Sequence, residues 1–272
     1  MNEQKTTIKS VKDLKYVGSS SIALDKDLGA RYAILPGDPQ RVEKIANMLE
    51  SPKPLAVKRE YTSWEGYIDG EKVIVISTGM GGPSAAICVE ELNMIGVHTV
   101  VRIGTCGGMQ IPMQAGDLVI PTGAIRQEGT TYHYVYPEFP SVPNFEVVSA
   151  LNEASKLQVA RKTYLGVVQS KDSLYGQHSP DRMPVSDELN TKYESWIRSG
   201  ALASEMECAA VFTVAQVLGM RAGAVLQVIW NKEREKAGLE VVMDRDTTSG
   251  IQTVIEGIRI LMQQEKSDKK EV

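Results

Sequence analysis

The sequence predicts an α/β protein: a single domain with a central mixed β-sheet flanked by helices. Three observations carry that prediction. From Arg31 onward, short apolar runs alternate with amphipathic stretches, the rhythm of a sheet covered on both faces. Asp69-Gly70, between Trp64–Ile68 and Val73–Ser77, is a two-residue hairpin signal that calls for positive φ and adds an antiparallel pair to the sheet. The chain is 272 residues long, enough for one enzyme-sized domain, and it has neither an internal repeat nor a low-complexity linker. We set its bounds as an N-terminal extension at 1–30, the domain at 31–264 and a charged tail at 265–272.

In chain order, the apolar run Tyr32–Leu35 reads as the first strand, and Gln40–Met48 has helical spacing. The hairpin follows. Gly82–Met94 reads as a helix, with Pro83 at a first helical position, where its missing N–H costs nothing. Thr99–Ile103 and Asp117–Gln127 read as strands, Phe145–Ser155 as a helix and Tyr164–Ser170 as a strand. Asp187–Arg198 and Glu205–Leu218 are predicted helices, Ala222–Trp230 a strand and Thr247–Gln264 the last helix. Thr130–Asn144 and Leu174–Pro184 read as long irregular stretches, which tend to carry sites.

The hydrophobic fraction of 42% and charged fraction of 24% are those of an ordinary globular protein. A net charge of −4 gives no electrostatic case for nucleic acid, so any bound anion must be held locally. Cys88, Cys106 and Cys208 are odd in number and contain no CxxC. They suggest neither a disulfide framework nor a zinc site, and they fit a reducing cytoplasm. The polar first residues lack an apolar leader segment and no run is long enough for a membrane span, so no membrane partner is expected.

Arg102-Ile103-Gly104-Thr105-Cys106-Gly107-Gly108 runs from an apolar strand into a glycine-rich turn with an arginine and a hydroxyl. Such a turn is either a tight strand exit or an oxyanion cradle, since glycines let backbone N–H groups converge and a guanidinium adds a charge-assisted contact. Pro36-Gly37-Asp38-Pro39-Gln40-Arg41 repeats the combination, Lys58-Arg59-Glu60-Tyr61 offers a third arginine, and Ser77-Thr78-Gly79-Met80-Gly81-Gly82-Pro83-Ser84 is a glycine-rich helix entrance. Each segment alone also fits a plain turn with a surface charge. Ser204 and Glu207 have the spacing of a capping box, which accounts for one glutamate of Ser204-Glu205-Met206-Glu207 and leaves the other. In the loop after Leu174, Gln177 offers an amide and Arg182 a fork of donors, and a surface loop pinned by Pro180 is the alternative. None of His98, His133 and His178 stands where it would support nucleophilic hydrolysis.

Together the segments LPGDPQR, KREY, STGMGGPS, VEEL, RIGTCGG, GDLVI, YGQHSPDRMP, SEMECAA and VIWNK resemble, in wording and order, the uridine phosphorylases of the nucleoside phosphorylase superfamily. The likeness covers roughly Arg31 to Met262. It implies one α/β domain whose mixed sheet is partly closed into a barrel, assembled as a homohexamer built as a trimer of dimers. It implies that Gly37, Arg41, Arg102 and Thr105 hold phosphate, with Arg59 reaching in from the neighbouring subunit. Glu205, Met206 and Glu207, with Thr105, would line the ribose. Gln177 would bind the base in a pocket with Cys106, Gly107, Leu174, Arg182 and Trp230. His178, Asn231 and Lys232 are candidates for assistance on the base side. Glu60 and Ser84 match positions that hold a monovalent cation, K+, at the dimer interface in some members. No other cofactor is implied, and phosphate is the co-substrate.

The chain departs from that pattern in the base pocket. Gly18-Ser19-Ser20-Ser21-Ile22 stands where many members supply a ribose-contacting histidine. Leu174 replaces a usual phenylalanine, Trp230 a small aliphatic, Lys232 an arginine and Cys106 a threonine. Gln177-His178-Ser179 replaces Gln-x-Arg, leaving Arg182 or His178 as the substitute. Asn231 lies where purine-specific relatives place an aspartate, which argues for a pyrimidine. The sequence therefore predicts a cytoplasmic enzyme of pyrimidine salvage that converts uridine and phosphate to uracil and ribose 1-phosphate. A phosphorylase of shifted preference (deoxyuridine, thymidine or a purine nucleoside) and a non-catalytic nucleoside-binding homologue are the alternatives.

Overall fold

The computed structural model describes residues 21–158 and 160–271. Among these, nine strands form one sheet: β1 (Tyr32–Pro36), β2 (Glu50–Lys58), β3 (Tyr61–Ile68), β4 (Glu71–Ile76), β5 (Thr99–Gly108), β6 (Leu118–Gln127), β7 (Thr163–Lys171), β8 (Ala203–Glu205) and β9 (Arg221–Asn231). Their order is β2-β3-β4-β1-β5-β8-β7-β6-β9, and a further β5–β9 pairing closes β5, β8, β7, β6 and β9 into a five-stranded barrel. β1, β4, β5 and β9 are linked by parallel pairings, while β2–β3, β3–β4, β5–β8 and β6–β9 are antiparallel. The sheet is mixed, as expected.

Alternation along the strands sorts the core into two faces. Ala33, Leu35, Ile74, Ile76, Ala222, Ala224 and Leu226 face a cluster shared with α2 (Gly82–Met94) and α6 (Cys208–Val217). Tyr32, Ile34, Val73, Val75 and Val225 face the opposite cluster, covered by α1 (Gln40–Ala46), α3 (Phe145–Ser155) and α8 (Thr248–Glu271). α6 is apolar all round and buried from Cys208 to Ala215, which marks it as a central helix. Asp69 and Gly70 form the expected hairpin, with φ of 50° and 80°.

Several expectations are corrected. The glycine-rich stretch after Ile103 is no turn: β5 continues to Gly108, paired with β8 and β9. β2 was not expected, because Pro52 and Pro54 break its pattern and its first half is exposed, as an edge strand tolerates. The helix read from Glu205 starts at Cys208, since Ser204 and Glu205 belong to β8. Leu174–Pro184 is largely ordered, as α4 (Leu174–His178) followed by a 3-10 turn at Pro180–Arg182. α5 (Ser186–Arg198) is as expected to within a residue, and α7 (Lys232–Lys236) is an added short turn. α8 runs past residue 264, and Glu265 is tied to Arg31, Tyr32 and Arg221, so the body of the domain takes in the start of the charged tail. Most of the N-terminal extension, including Gly18, Ser19 and Ser20, lies outside the described residues. Ser21 and Ile22 donate their amides to the Glu91 carboxylate, at 2.9 and 3.0 Å.

Candidate active site

The ends of β1, β4, β5, β8 and β9 converge on a cavity of about 720 Å3. At one end Gly37 leaves β1 and Arg41 lies in the first turn of α1, while Arg102 rises from the middle of β5. The Thr78 amide donates to the Pro36 carbonyl at 2.8 Å, which ties the exits of β4 and β1 together. A Cβ built on Gly37 would lie 3.7 Å from Arg41 Nη2 and 3.8 Å from Arg102 Nη1. Arg41 Nη1 and Arg102 Nη1 are buried and find no hydrogen-bond partner among the described residues. Two guanidiniums turned toward one point, the Arg102 side chain buried and that of Arg41 partly so, each with a buried donor to spare, match the chemistry of an oxyanion.

Their charges are balanced unequally. Burial works against the Arg102 cation, but Glu207 and Glu205 more than offset it and hold its pKa above the ordinary arginine value. Burial, with Arg102 beside it, lowers the pKa of Arg41. A bound anion would relieve that deficit.

Glu205 and Glu207 take separate tasks. The Glu205 carboxylate accepts from the backbone amides of Glu207 (2.8 Å) and Cys208 (2.9 and 3.0 Å) and from Ser170 Oγ, and lies 3.3 Å from Arg102 Nε. It caps α6. Glu207 accepts from Arg102 Nη2 and, at 2.6 Å, from the Gly81 amide. Gly81 has φ of 90°, which its lack of a Cβ permits, and this aims its N–H away from α2. Burial raises the Glu207 pKa, Arg102 opposes that shift and Glu205 adds to it. The capping box suggested by Ser204 and Glu207 is not formed: the two side chains point to different partners. Glu205, Met206, Glu207 and Thr105 line the middle of the cavity.

The far end is formed by Cys106, Gly107, Leu174, His178, Ile229, Trp230 and Met243. A β-bulge sets Cys106 opposite Val228 and Gly107 opposite Trp230, and the extra residue re-aims the Trp230 segment. The His178 and Trp230 rings lie 5.7 Å apart at 50°. Burial, then Lys171 and Lys232, lower the His178 pKa. Burial pushes the Cys106 thiol up, which suits a lining residue and not a nucleophile.

Other candidates lie beside the cavity. Gln177 Nε2 donates to Ser204 Oγ at 2.9 Å and opens on an adjoining space of about 180 Å3. Arg182 is exposed, 5.2 Å over the Tyr175 ring. Lys232 donates to the Gln177 carbonyl at 3.1 Å. Asn231 is engaged elsewhere: its amide donates to Gln110 and Met113 carbonyls at 2.9 Å, and its oxygen caps α7. Arg59 is exposed in the β2–β3 turn and does not line this chain's cavity, whereas Glu60 does. Ser84 Oγ donates to Glu60 Oε1 at 2.8 Å and also bonds the Thr78 carbonyl. Sequence reasoning missed Asp38, Met80, Ile229, Met243 and Lys171 in the lining. Lys171 had one readable signal, a lysine closing a strand just before a loop suspected of carrying a site.

Comparison with known proteins bears directly on this arrangement. The chain is 49% identical over 239 residues to the uridine phosphorylase of Treponema pallidum (strain Nichols), covering 88% of this chain and 92% of that one. It is 40% identical over 237 residues to the uridine phosphorylase of Escherichia coli (strain K12), covering 86% and 93%. It is also 40% identical over 199 residues to a guanosine phosphorylase of Halorubrum lacusprofundi, covering 73% and 78%. The sequence profile described as the phosphorylase superfamily matches residues 31–252, the span that contains the whole sheet and all of the cavity lining, and the chain belongs to that family.

Proposed function

We propose that this chain catalyses the phosphorolysis of uridine to uracil and ribose 1-phosphate. The observation that carries the reading is the pair of guanidiniums of Arg41 and Arg102 turned toward Gly37, each with a buried donor that has no partner among the described residues, and Glu207 fixed beside them. In this reading the arginines and Thr105 hold phosphate against C1′ of the nucleoside, and Glu207, with Met206, fixes the ribose hydroxyls. Phosphate attacks C1′ with inversion as the glycosidic bond breaks through an oxocarbenium-like state. The protein supplies placement and charge and needs no covalent nucleophile. Each preorganised donor is worth about 3 kcal/mol of barrier.

Arg59 fits the role of a phosphate ligand lent by a second copy, because it is exposed and outside its own cavity. That supports a homo-oligomer, with a hexamer built as a trimer of dimers as the assembly. Glu60, Ser84 and the Thr78 carbonyl form an all-oxygen set whose chemistry suits a hard monovalent cation such as K+ at that junction. Three buried free thiols favour the cytoplasm as the compartment, and no helix among the described residues is long and apolar enough to cross a membrane.

Uridine is favoured over purine nucleosides by its presence in the names of relatives that cover most of the chain, and the guanosine phosphorylase likeness makes a purine the competing reading. Trp230 narrows the base end, so thymidine, with its 5-methyl group, is expected to be a poorer substrate. A panel of uridine, deoxyuridine, thymidine, inosine and guanosine at fixed phosphate decides. Uridine should give the highest kcat/KM, with thymidine at least tenfold lower; a preference for guanosine would overturn the base assignment.

A further inference from the structure

The base end of the cavity lacks the arginine that the family pattern would set beside the glutamine. Ser179 holds that place, Arg182 is exposed over Tyr175, and Lys232 is engaged with the Gln177 carbonyl and the Tyr193 ring. One ammonium does enter. Lys171, the last residue of β7, is 5% exposed and lines the same cavity as Cys106, Leu174, His178 and Trp230. Its Nζ donates to Ser204 Oγ at 2.8 Å and, more weakly, to the Glu205 carbonyl at 3.4 Å. An ammonium has three donors, so one remains for the cavity. Among the described residues Lys171 makes no ion pair of its own, since the Arg102 guanidinium takes the neighbouring carboxylates.

The register of three strands builds this arrangement. β8 is inserted between β5 and β7, with Ser204 opposite Gly107 on one side and Gln169 on the other. Ser204 is thereby held where it accepts from both Lys171 and Gln177. The ammonium and the amide share one hydroxyl and form a single polar edge, charged at the cavity and neutral behind it. Lys171 also lines the small adjoining space that Gln177 faces, so it stands at the boundary between the two.

We propose that Lys171 contacts the base directly, donating from its ammonium to a pyrimidine carbonyl oxygen and holding the negative charge that grows there as the glycosidic bond breaks. The proposal rests on the uridine reading above. In the step, a phosphate oxygen forms the new bond to C1′ and the C1′–N1 electron pair departs with N1. The charge is shared through the ring with the carbonyl, and the released base takes up, through water, the proton that the hydrogen phosphate gives up on becoming ribose 1-phosphate, while Lys171 keeps its own. A poorly solvated ammonium is a strong partner for such charge. Burial lowers the Lys171 pKa, with Glu205 and Glu207 opposing, which is the signature of that poor solvation.

The test compares wild type, Lys171→Met and Lys171→Gln on uridine and on 5-fluorouridine, whose more acidic base needs less help to leave. Lys171→Gln keeps a donor for Ser204, so loss of charge is separated from loss of structure. Inorganic phosphate binding, measured by calorimetry without nucleoside, should stay within about twofold of wild type, because the Arg41 and Arg102 end is untouched. We expect kcat on uridine to fall about a hundredfold in both variants, as for removal of one preorganised donor, and the loss on 5-fluorouridine to be at least tenfold smaller. Equal losses on the two nucleosides, or an unchanged uridine kcat, would overturn the role of Lys171 while leaving uridine phosphorolysis standing. A wild type inert toward both nucleosides in phosphate would overturn the parent reading and this proposal with it.

Discussion

Gly37 marks the point on which the proposed phosphate cradle is centred. A methyl group there would meet only ordinary contacts, 3.4 Å to the Gly79 carbonyl and 3.7 and 3.8 Å to the two guanidiniums, so Gly37→Ala costs the fold little and fills the space an anion oxygen would use. The expected outcome is a phosphate KM raised tenfold or more, about 1.4 kcal/mol or above, with a thermal midpoint within a few degrees of wild type. A KM unchanged by the methyl would remove Gly37 from the cradle. Arg102 is a less clean probe, because its removal strands Glu205 and Glu207 as buried carboxylates at a cost of about 3–5 kcal/mol. At this scale the arginines, the glycine and both glutamates could be read from residue type and motif order. Lys171 left only a faint signal, its place at a strand end before a loop suspected of carrying a site, because a lysine there reads as a solvated charge until burial is known. Asn231 misled in the opposite way: its position suggested chemistry, while its four hydrogen bonds are spent on Gln110, Met113 and the α7 cap.

Among the elements, the β2–β3 hairpin and β8 do the most to shape the site, and both were hard to see. β2 hides behind two prolines and an exposed face, and β8 is three residues long. Apolar periodicity finds elements that bury a whole face, so β1, α2, α3 and α6 were legible and these two were not. The hairpin presents Arg59 at a turn residue with φ of 56°, outside its own cavity. If a partner copy receives it, two inactive variants should complement each other. Arg59→Ala and Arg41→Ala, each depleted in activity alone, should on equal co-expression regain about a quarter of wild-type activity, from the one intact site in each mixed pair. Activity no higher than that of either variant alone would mean that Arg59 serves no neighbouring site.

On the scale of the whole molecule, closing β5, β8, β7, β6 and β9 into a barrel gathers residues from positions 37 to 243 round one cavity. The alternation of apolar and amphipathic runs predicted the layers and the mixed sheet; the closure was implied only by the family resemblance, because it depends on long-range register, above all the β5–β9 pairing. The central claim is that this cavity binds phosphate as a reactant and not water. The direct measurement follows uracil release from uridine in phosphate buffer and in rigorously phosphate-free buffer, with ribose 1-phosphate quantified alongside. Uracil should appear only with phosphate and in one-to-one ratio with ribose 1-phosphate; uracil released equally well without phosphate, accompanied by free ribose, would contradict it.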